Sequence, residues 1–385
     1  MKRYLLTTAA VMTAAVLCAQ QALWGVPSVE SPVVNPDNTV SFNLVAPGAR
    51  SVVVAGDFSP AGFAMMEKDS VGMWHYTTPA PLAPELYSYS FFVDSLRIND
   101  PSNVYKLRDV LTVSDIFIVG GGDADLYKVN DVPHGTVSKV WYHSDSLDTD
   151  RRMTVYTPAG YECGDRRYPV LYLLHGMGGD ENAWTELGRA AQILDNLIAR
   201  GDAEPMIVVM TNGNVAMQAA PGETYAGLVP PTTALPHTMD GRFEETFPEV
   251  VKFVDANYRT VAEKSGRAIA GLSMGGYHSL HISREYPDMF DYVGLFSAAI
   301  FPDKSKTSRI YSSPDEKWKT QFEKAPALYW IAIGDKDFLY DANVKYREML
   351  DSHGYPYTYY ESGDGHIWKN WRIYLSKFLP MLFKK

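Results

Sequence analysis

A serine with a glycine two residues away on each side, Gly271-Leu272-Ser273-Met274-Gly275, is where residue types and spacing first suggest chemistry. The residues before it, 268–272, form a continuous apolar run, and 276–286 after it read as helix. The serine is therefore expected on a tight strand–turn–helix bend, a nucleophile elbow. Such a bend leaves no room for side chains two residues before and after the serine, a need that Gly271 and Gly275 meet. The bend holds the hydroxyl above the sheet, at a helix N-terminus that favours developing negative charge. The chemistry implied is nucleophilic acyl transfer.

A serine hydroxyl is a poor nucleophile without a base, and the base must itself be oriented. The chain order that accompanies such elbows is serine, then acid, then histidine. That order reduces nine histidines to His278, His281, His353 and His366. His278 and His281 fall on the helix behind the elbow, and His353 ends another helix beside Gly354, so all three read as structural. His366 follows a strand-like run, 356–361, in the loop Ser362-Gly363-Asp364-Gly365 and is the expected base. The strand-like run 328–333 ends in Gly334-Asp335-Lys336-Asp337-Phe338-Leu339, which offers two acids. Asp335 adjoins Lys336 and reads as a solvated turn residue. Asp337 precedes an apolar pair that would bury it against the histidine loop, so Asp337 is the expected acid.

An oxyanion hole needs two backbone N–H donors. Met274, the residue after the nucleophile, supplies one. Met177 in Leu174-His175-Gly176-Met177-Gly178-Gly179 is expected to supply the other, with Gly176 as the alternative. His175 precedes the serine and reads as a residue that orders this loop. Trp184, Tyr340 and Trp368 adjoin the oxyanion, acid and histidine motifs and are the expected substrate-binding aromatics.

The elements that must position these groups alternate between strand and helix. Apolar runs at 168–174, 206–210, 268–272 and 328–333 read as buried parallel strands. Helical patterns cover 183–199, 243–258 and 340–352, the last closed by Gly354. This makes residues 137–385 an α/β domain built on a doubly wound parallel sheet. Residues 25–120 differ, with short alternating runs at 40–44, 51–54 and 86–91 separated by turn residues. They read as a small all-β, immunoglobulin-like sandwich. The glycine-rich stretch 121–136 reads as a linker. Trp74, Tyr87 and Tyr89 could bind glycan there, although Tyr87, Tyr89 and Phe91 share one strand face and read first as core.

Lys2, Arg3 and the apolar run 5–17, followed by Cys18-Ala19-Gln20-Gln21, have the form of a secretory signal peptide over 1–19. Secretion or periplasmic residence follows. Lipid anchoring through Cys18 is disfavoured by the bulky Leu17 before it. Cys163 then remains alone, in a polar turn, so no intramolecular disulfide supports the mature fold. A formal net charge of −10 with no basic cluster argues against nucleic-acid or anionic-membrane partners. No metal-ligand spacing or dinucleotide fingerprint is present, so no cofactor and no metal are expected.

The segments 173–184, 271–276, 334–340 and 365–368 closely resemble the esterase D-like branch of α/β hydrolases. Within that branch the chain resembles the bacterial feruloyl and acetylxylan esterases of carbohydrate esterase family one, from about Pro133 onward. The region before it, with Gln21-Ala22-Leu23-Trp24-Gly25, resembles the early-set β-sandwich attached to many of them. Departures such as Thr211, where a proline often stands, and Asp364 in the histidine loop leave the triad untouched. The resemblance implies release of ferulic or related hydroxycinnamic acid from plant cell-wall polysaccharide, arabinoxylan above all, through an acyl-serine intermediate. Acetylxylan ester cleavage, hydrolysis of an enterochelin-type siderophore ester, acyl transfer to a sugar and non-catalytic carbohydrate binding are the alternatives. The residues between Asn212 and Arg242, proline-rich and without periodicity, are expected to form a lid or binding loop.

Overall fold

The computed structural model describes residues 29–225, 232–233, 235–300 and 308–384. The expected leader, Cys18 and residues 21–25 lie outside the described residues, as does the middle of the expected loop at 212–242. Residues up to Leu82, with Tyr89–Val104, form one compact unit; Ala83–Ser88 and the chain from Tyr105 onward form a second.

The first unit is antiparallel. Its strands are β1 (Val33–Val34), β2 (Val40–Val45), β3 (Val52–Gly56), β4 (Phe63–Met65), β5 (Glu67–Lys68), β6 (Met73–Thr77), β7 (Glu85–Val93, shared with the second unit) and β8 (Leu96–Ile98). One sheet runs β1-β2-β6-β5; in the other, β3 lies between β4 and β7, and β8 pairs with β7. Period-2 alternation sets the buried face. Val40, Phe42 and Leu44 point inward from β2, and Tyr89 and Phe91 from β7. Trp74 is buried too and donates its indole N–H to the Ala46 carbonyl at 3.0 Å. The Tyr89 hydroxyl donates to Asp100 at 2.7 Å. Trp74 and Tyr89 are thus core residues, not an exposed glycan platform.

The second unit opens with a hairpin, β9 (Lys106–Arg108) and β10 (Val113–Val119). A short 3₁₀ turn, Gly122–Tyr127, follows and buries Ala124, Leu126 and Tyr127. The expected linker is therefore tied down: Asn196 donates to the carbonyls of Leu126 (2.9 Å) and Lys128 (3.0 Å), and Arg189 to that of Tyr127 (2.9 Å). The apolar Leu126-Tyr127 pair outweighs the glycines that precede it. The boundary between units accordingly falls near residue 104, not at 120.

Eight strands make the central sheet of this unit. They are β11 (Thr136–Ser144), β12 (Thr149–Thr157), β13 (Val170–Leu174), β14 (Ile207–Thr211), β15 (Arg267–Leu272), β16 (Tyr292–Phe296), β17 (Leu328–Gly334) and β18 (Thr358–Ser362). Their order is β11-β12-β14-β13-β15-β16-β17-β18; β11 and β12 are antiparallel additions, and the other six are parallel. Every residue of β13 and β14 is buried. Alternate residues feed two cores, Leu171, Leu173 and Val208 into one, Val170, Tyr172 and Val209 into the other. That is the signature of a parallel sheet covered on both faces, and each such side chain contributes about 1.5–3 kcal/mol of burial.

The helices are α1 (Ala183–Glu186), α2 (Ala190–Arg200), α3 (Arg242–Asn257), α4 (Met274–Glu285), α5 (Pro314–Glu323), α6 (Tyr340–Ser352) and α7 (Trp368–Phe378). The single helix expected over 183–199 is interrupted at 187–189, where Arg189 adopts φ 53°. A side chain at Gly188 would strike the Trp184 ring at 2.6 Å, so the break lets the chain pass over that ring. None of the helices among the described residues is long and apolar enough to cross a membrane.

Candidate active site

Ser273 lies between β15 and α4 with φ 53° and ψ −114°, a strained backbone for a residue with a Cβ. Its N–H donates to the Phe296 carbonyl at 2.9 Å, and its carbonyl accepts from Tyr277 and Ala299 at 3.0 Å. The flanking glycines show why the elbow needs them. A Cβ at Gly271 would lie 2.4 Å from the Gly275 backbone, and one at Gly275 would lie 2.4 Å from the Leu174 carbonyl oxygen. Both obstacles are backbone and cannot rotate away.

The Gly275 contact joins the elbow to the loop after β13. Gly275→Ala is expected to push that loop outward, lowering stability by about 1–3 kcal/mol and kcat about 100-fold through a displaced oxyanion donor. Urea titration and ester turnover measure the two effects. A variant with full turnover would mean that this contact does not fix the loop.

Met274 is the first residue of α4, where backbone N–H groups have no acceptor within the helix. Gly176 approaches from the other side, since a Cβ there would sit 3.2 Å from the Ser273 Cβ. Met177 follows in the exposed turn closed by the Gly179 N–H to the Gly176 carbonyl at 3.0 Å. The expected donors Met177 and Met274 thus belong to a loop and a helix N-terminus that meet at Ser273.

His175 orders this region. Its Nε2 accepts from the Gly213 N–H at 2.8 Å, so the ring proton sits on Nδ1, which donates to the Gly176 carbonyl at 2.8 Å. Burial pushes the imidazole down to about 4, keeping it neutral in that role. Glu181 ties the same loops from below, accepting from Arg152 Nε (2.8 Å), the Asn212 amide (2.9 Å) and the Ala220 N–H (2.9 Å).

Asp337 follows β17 and His366 follows β18, two strands whose C-terminal ends lie on the same edge of the sheet as the end of β15. His366 Nδ1 faces both carboxylate oxygens of Asp337, at 2.8 and 3.0 Å. Burial works to raise the Asp337 carboxyl. The bonds from His366 and the Leu339 N–H, with the Ser297 hydroxyl alongside, outweigh it and hold the carboxyl below the usual carboxylate range. Asp335 is exposed, and its N–H donates to the Ser362 carbonyl at 2.9 Å. Asn370 braces the histidine loop by donating to the carbonyls of Gly363 (2.9 Å) and Gly365 (2.8 Å). The imidazole sits between the exposed Phe338 ring (centroids 4.5 Å apart) and Trp371 (4.9 Å).

The other histidines are placed as structural. His278 is buried against Glu244 at 2.9 Å, and His281 stacks edge-on to Tyr277 at 4.2 Å. His353 Nδ1 bonds the Met349 carbonyl at the end of α6, at 2.9 Å.

The three expected binding aromatics separate. Trp184 is 1% exposed and donates its indole N–H to the Leu174 carbonyl at 2.9 Å. It is bonded to the end of β13 and has no surface for substrate, being buried against Phe296. Tyr340 packs against the cluster that includes Ile333 and Leu339 and donates its hydroxyl to Glu361 at 2.8 Å. Trp368 alone lines the cavity beside Gly176 and Met177. Among the lining residues that went unrecognised in the sequence are Val110 and Leu111 of the β9–β10 tip. No local signal marks them, since they lie in a stretch that reads as sandwich.

A mixed sheet of eight strands with a serine elbow after β15, an acid after β17 and a histidine after β18 defines an α/β hydrolase. The chain belongs to the Esterase family ("Putative esterase"), whose profile matches residues 144–337. It is 33% identical over 366 residues to an endo-1,4-beta-xylanase/feruloyl esterase of Xylanibacter ruminicola, a match covering 93% of this chain and 46% of that protein. The chain thus spans about half the length of that relative. Among solved structures, the family-one ferulic acid esterase of Anaeromyces mucronatus in complex with ferulic acid is 25% identical with a TM-score of 0.56. That match covers 68% of this chain and 96% of the other. The enterobactin esterase of Shigella flexneri matches 89% of this chain and 92% of its own at 18% identity, with a TM-score of 0.62, a likeness of fold alone.

Proposed function

We propose that this chain is an exported serine carboxylesterase that releases ferulic or a related hydroxycinnamic acid from plant cell-wall polysaccharide, arabinoxylan being the expected carrier. The observation that carries the reading is His366 bonded to a buried, ionised Asp337 on the sheet edge where the strained Ser273 follows β15. The relative from Xylanibacter ruminicola, named for xylan and feruloyl ester cleavage, supports the substrate class.

In this reading Ser273 Oγ adds to the ester carbonyl carbon while His366 takes the hydroxyl proton. Asp337 keeps the ring in the tautomer whose free nitrogen accepts that proton, and stabilises the imidazolium without becoming protonated. The oxyanion is held by the N–H groups of Met274 and Met177. Collapse breaks the ester C–O bond, and the sugar oxygen leaves with the proton from His366. Water, deprotonated by the same imidazole, then hydrolyses the acyl-Ser273 ester.

The test is release of ferulate from methyl ferulate by the mature chain, with an aryl acetate alongside. Turnover of the ferulate at kcat of order 1–10³ s⁻¹ is the expected result. Cleavage of acetate alone would replace a hydroxycinnamoyl with an acetyl substrate. Inertness toward both would move the reading to a siderophore ester or to acyl transfer.

A further inference from the structure

We propose that the tip of the β9–β10 hairpin, Val110 and Leu111, forms the outer wall of an acyl pocket and sets the preference of this site for a planar aromatic acyl group over acetyl. The inference rests on the ester-cleaving reading above and extends it to residues outside the matched span 144–337.

A cavity of about 220 Å³ lies beside the oxyanion loop. Gly176, Met177 and Leu272 form the side next to Ser273, Trp368 and Leu187 a second side, and Val110 and Leu111 the outer wall. The walls combine polar groups, Asp109, Thr233 and the backbone of Gly178 and Gly179, with the apolar side chains of Val110, Leu111, Leu187, Leu272 and Trp368, against which an aromatic ring can lie. An acetyl methyl would fill a small fraction of such a volume and leave the hairpin untouched. A hydroxycinnamoyl group is long enough to need a far wall.

The hairpin tip is built to hold that position. Asp109 accepts from the N–H groups of Leu111 (2.7 Å) and Thr112 (2.6 Å) and from the Thr112 hydroxyl (3.0 Å), which fixes the turn. Two bonds fasten the turn to the oxyanion loop: Arg108 to Asp180 at 2.9 Å, and the Val110 N–H to the Gly178 carbonyl at 3.3 Å. Val110 is buried in this junction, whereas Leu111 is 53% exposed and presents its side chain at the cavity rim. The wall and the loop carrying the second oxyanion donor are therefore one rigid piece, so a ring seated against Leu111 also aligns its carbonyl with the donors.

The experiment compares kcat/KM for methyl ferulate and 4-nitrophenyl acetate in the full chain and in Leu111→Asp and Leu111→Ala. Leu111 is half exposed, so both variants should fold, and a thermal melt confirms it. The ferulate-to-acetate ratio is expected to fall about tenfold or more in Leu111→Asp, with a smaller fall in the alanine variant, as befits loss of an apolar wall. An unchanged ratio, or equal loss on both esters, would overturn the proposal and leave the esterase reading standing. A wild-type chain that cleaves acetate but not ferulate removes the aromatic pocket alone. One that cleaves neither removes both.

Discussion

Ser273→Ala is expected to lower kcat about 10⁶-fold on whichever ester the chain cleaves, the scale seen when the nucleophile of a serine triad is deleted. What survives is the acceleration owed to binding and the oxyanion donors, since Met274 and the loop 175–179 keep their backbone contacts when only Oγ is lost. The strained φ of 53° belongs to the elbow and not to the hydroxyl, because the bonds to Phe296, Tyr277 and Ala299 are all backbone. The melting temperature should therefore stay within about 2 °C of wild type. A fluorophosphonate probe offers a second reading, adding its mass to the wild-type chain and not to the variant. Activity retained above about one part in a thousand would place the nucleophile elsewhere. Ser297, which follows β16 on this edge, is fully buried beside Asp337, where no ester can reach it.

The proposed triad was legible because each of its members sits in a short motif directly after a strand. Gly271-Leu272-Ser273-Met274-Gly275 carries its own geometry: the glycines at both ends meet backbone at 2.4 Å, a constraint that spacing alone encodes. The expectation of Asp337 over Asp335 rests on the apolar pair behind it; Leu339 is buried and Asp335 exposed, while Phe338 is itself exposed and lies against the His366 ring instead. Trp184 misled because an aromatic five residues after Gly179, close to the expected oxyanion loop, looks like a pocket wall. Its place was decided by the break at Gly188 and by Phe296, more than one hundred residues away, neither of which its neighbours announce.

The hairpin and the expected linker were misplaced for the same physical reason. Residues 106–119 alternate like every other short strand pair before them, so pattern assigns them to the sandwich. Their allegiance is set by the Arg108–Asp180 bond, across 72 residues of sequence, and by the Val110–Gly178 contact. Likewise Leu126 and Tyr127 join the core around α2 through Asn196 and Arg189, partners that a glycine-rich local composition hides. Local periodicity thus locates strands and turns, while long-range polar bonds decide which unit owns them.

Asp337→Asn isolates the orienting role from the proton transfer. The carboxylate accepts from His366 Nδ1 through either oxygen and from the Leu339 N–H at 2.9 Å. An amide keeps the shape, but its NH₂ can face Nδ1 and favour the tautomer that leaves the wrong nitrogen free, and it offers no charge to an imidazolium. A fall in kcat of about 10⁴-fold is expected, with KM little moved, because the loss lies in the transition state. Asp335→Asn, on an exposed turn residue, should stay within about twofold. The sign of the Asp337 shift gives a second readout. Its carboxyl is lowered in the folded chain, so the stability it contributes is fully present above the ordinary aspartate value near 3.9 and fades as pH falls through the lowered one. The difference in melting temperature between wild type and Asp337→Asn should therefore narrow as pH falls below about 4. Equal kinetics in the two asparagine variants, or a stronger effect at Asp335, would move the acid to the neighbouring turn position and detach His366 from the carboxylate it faces.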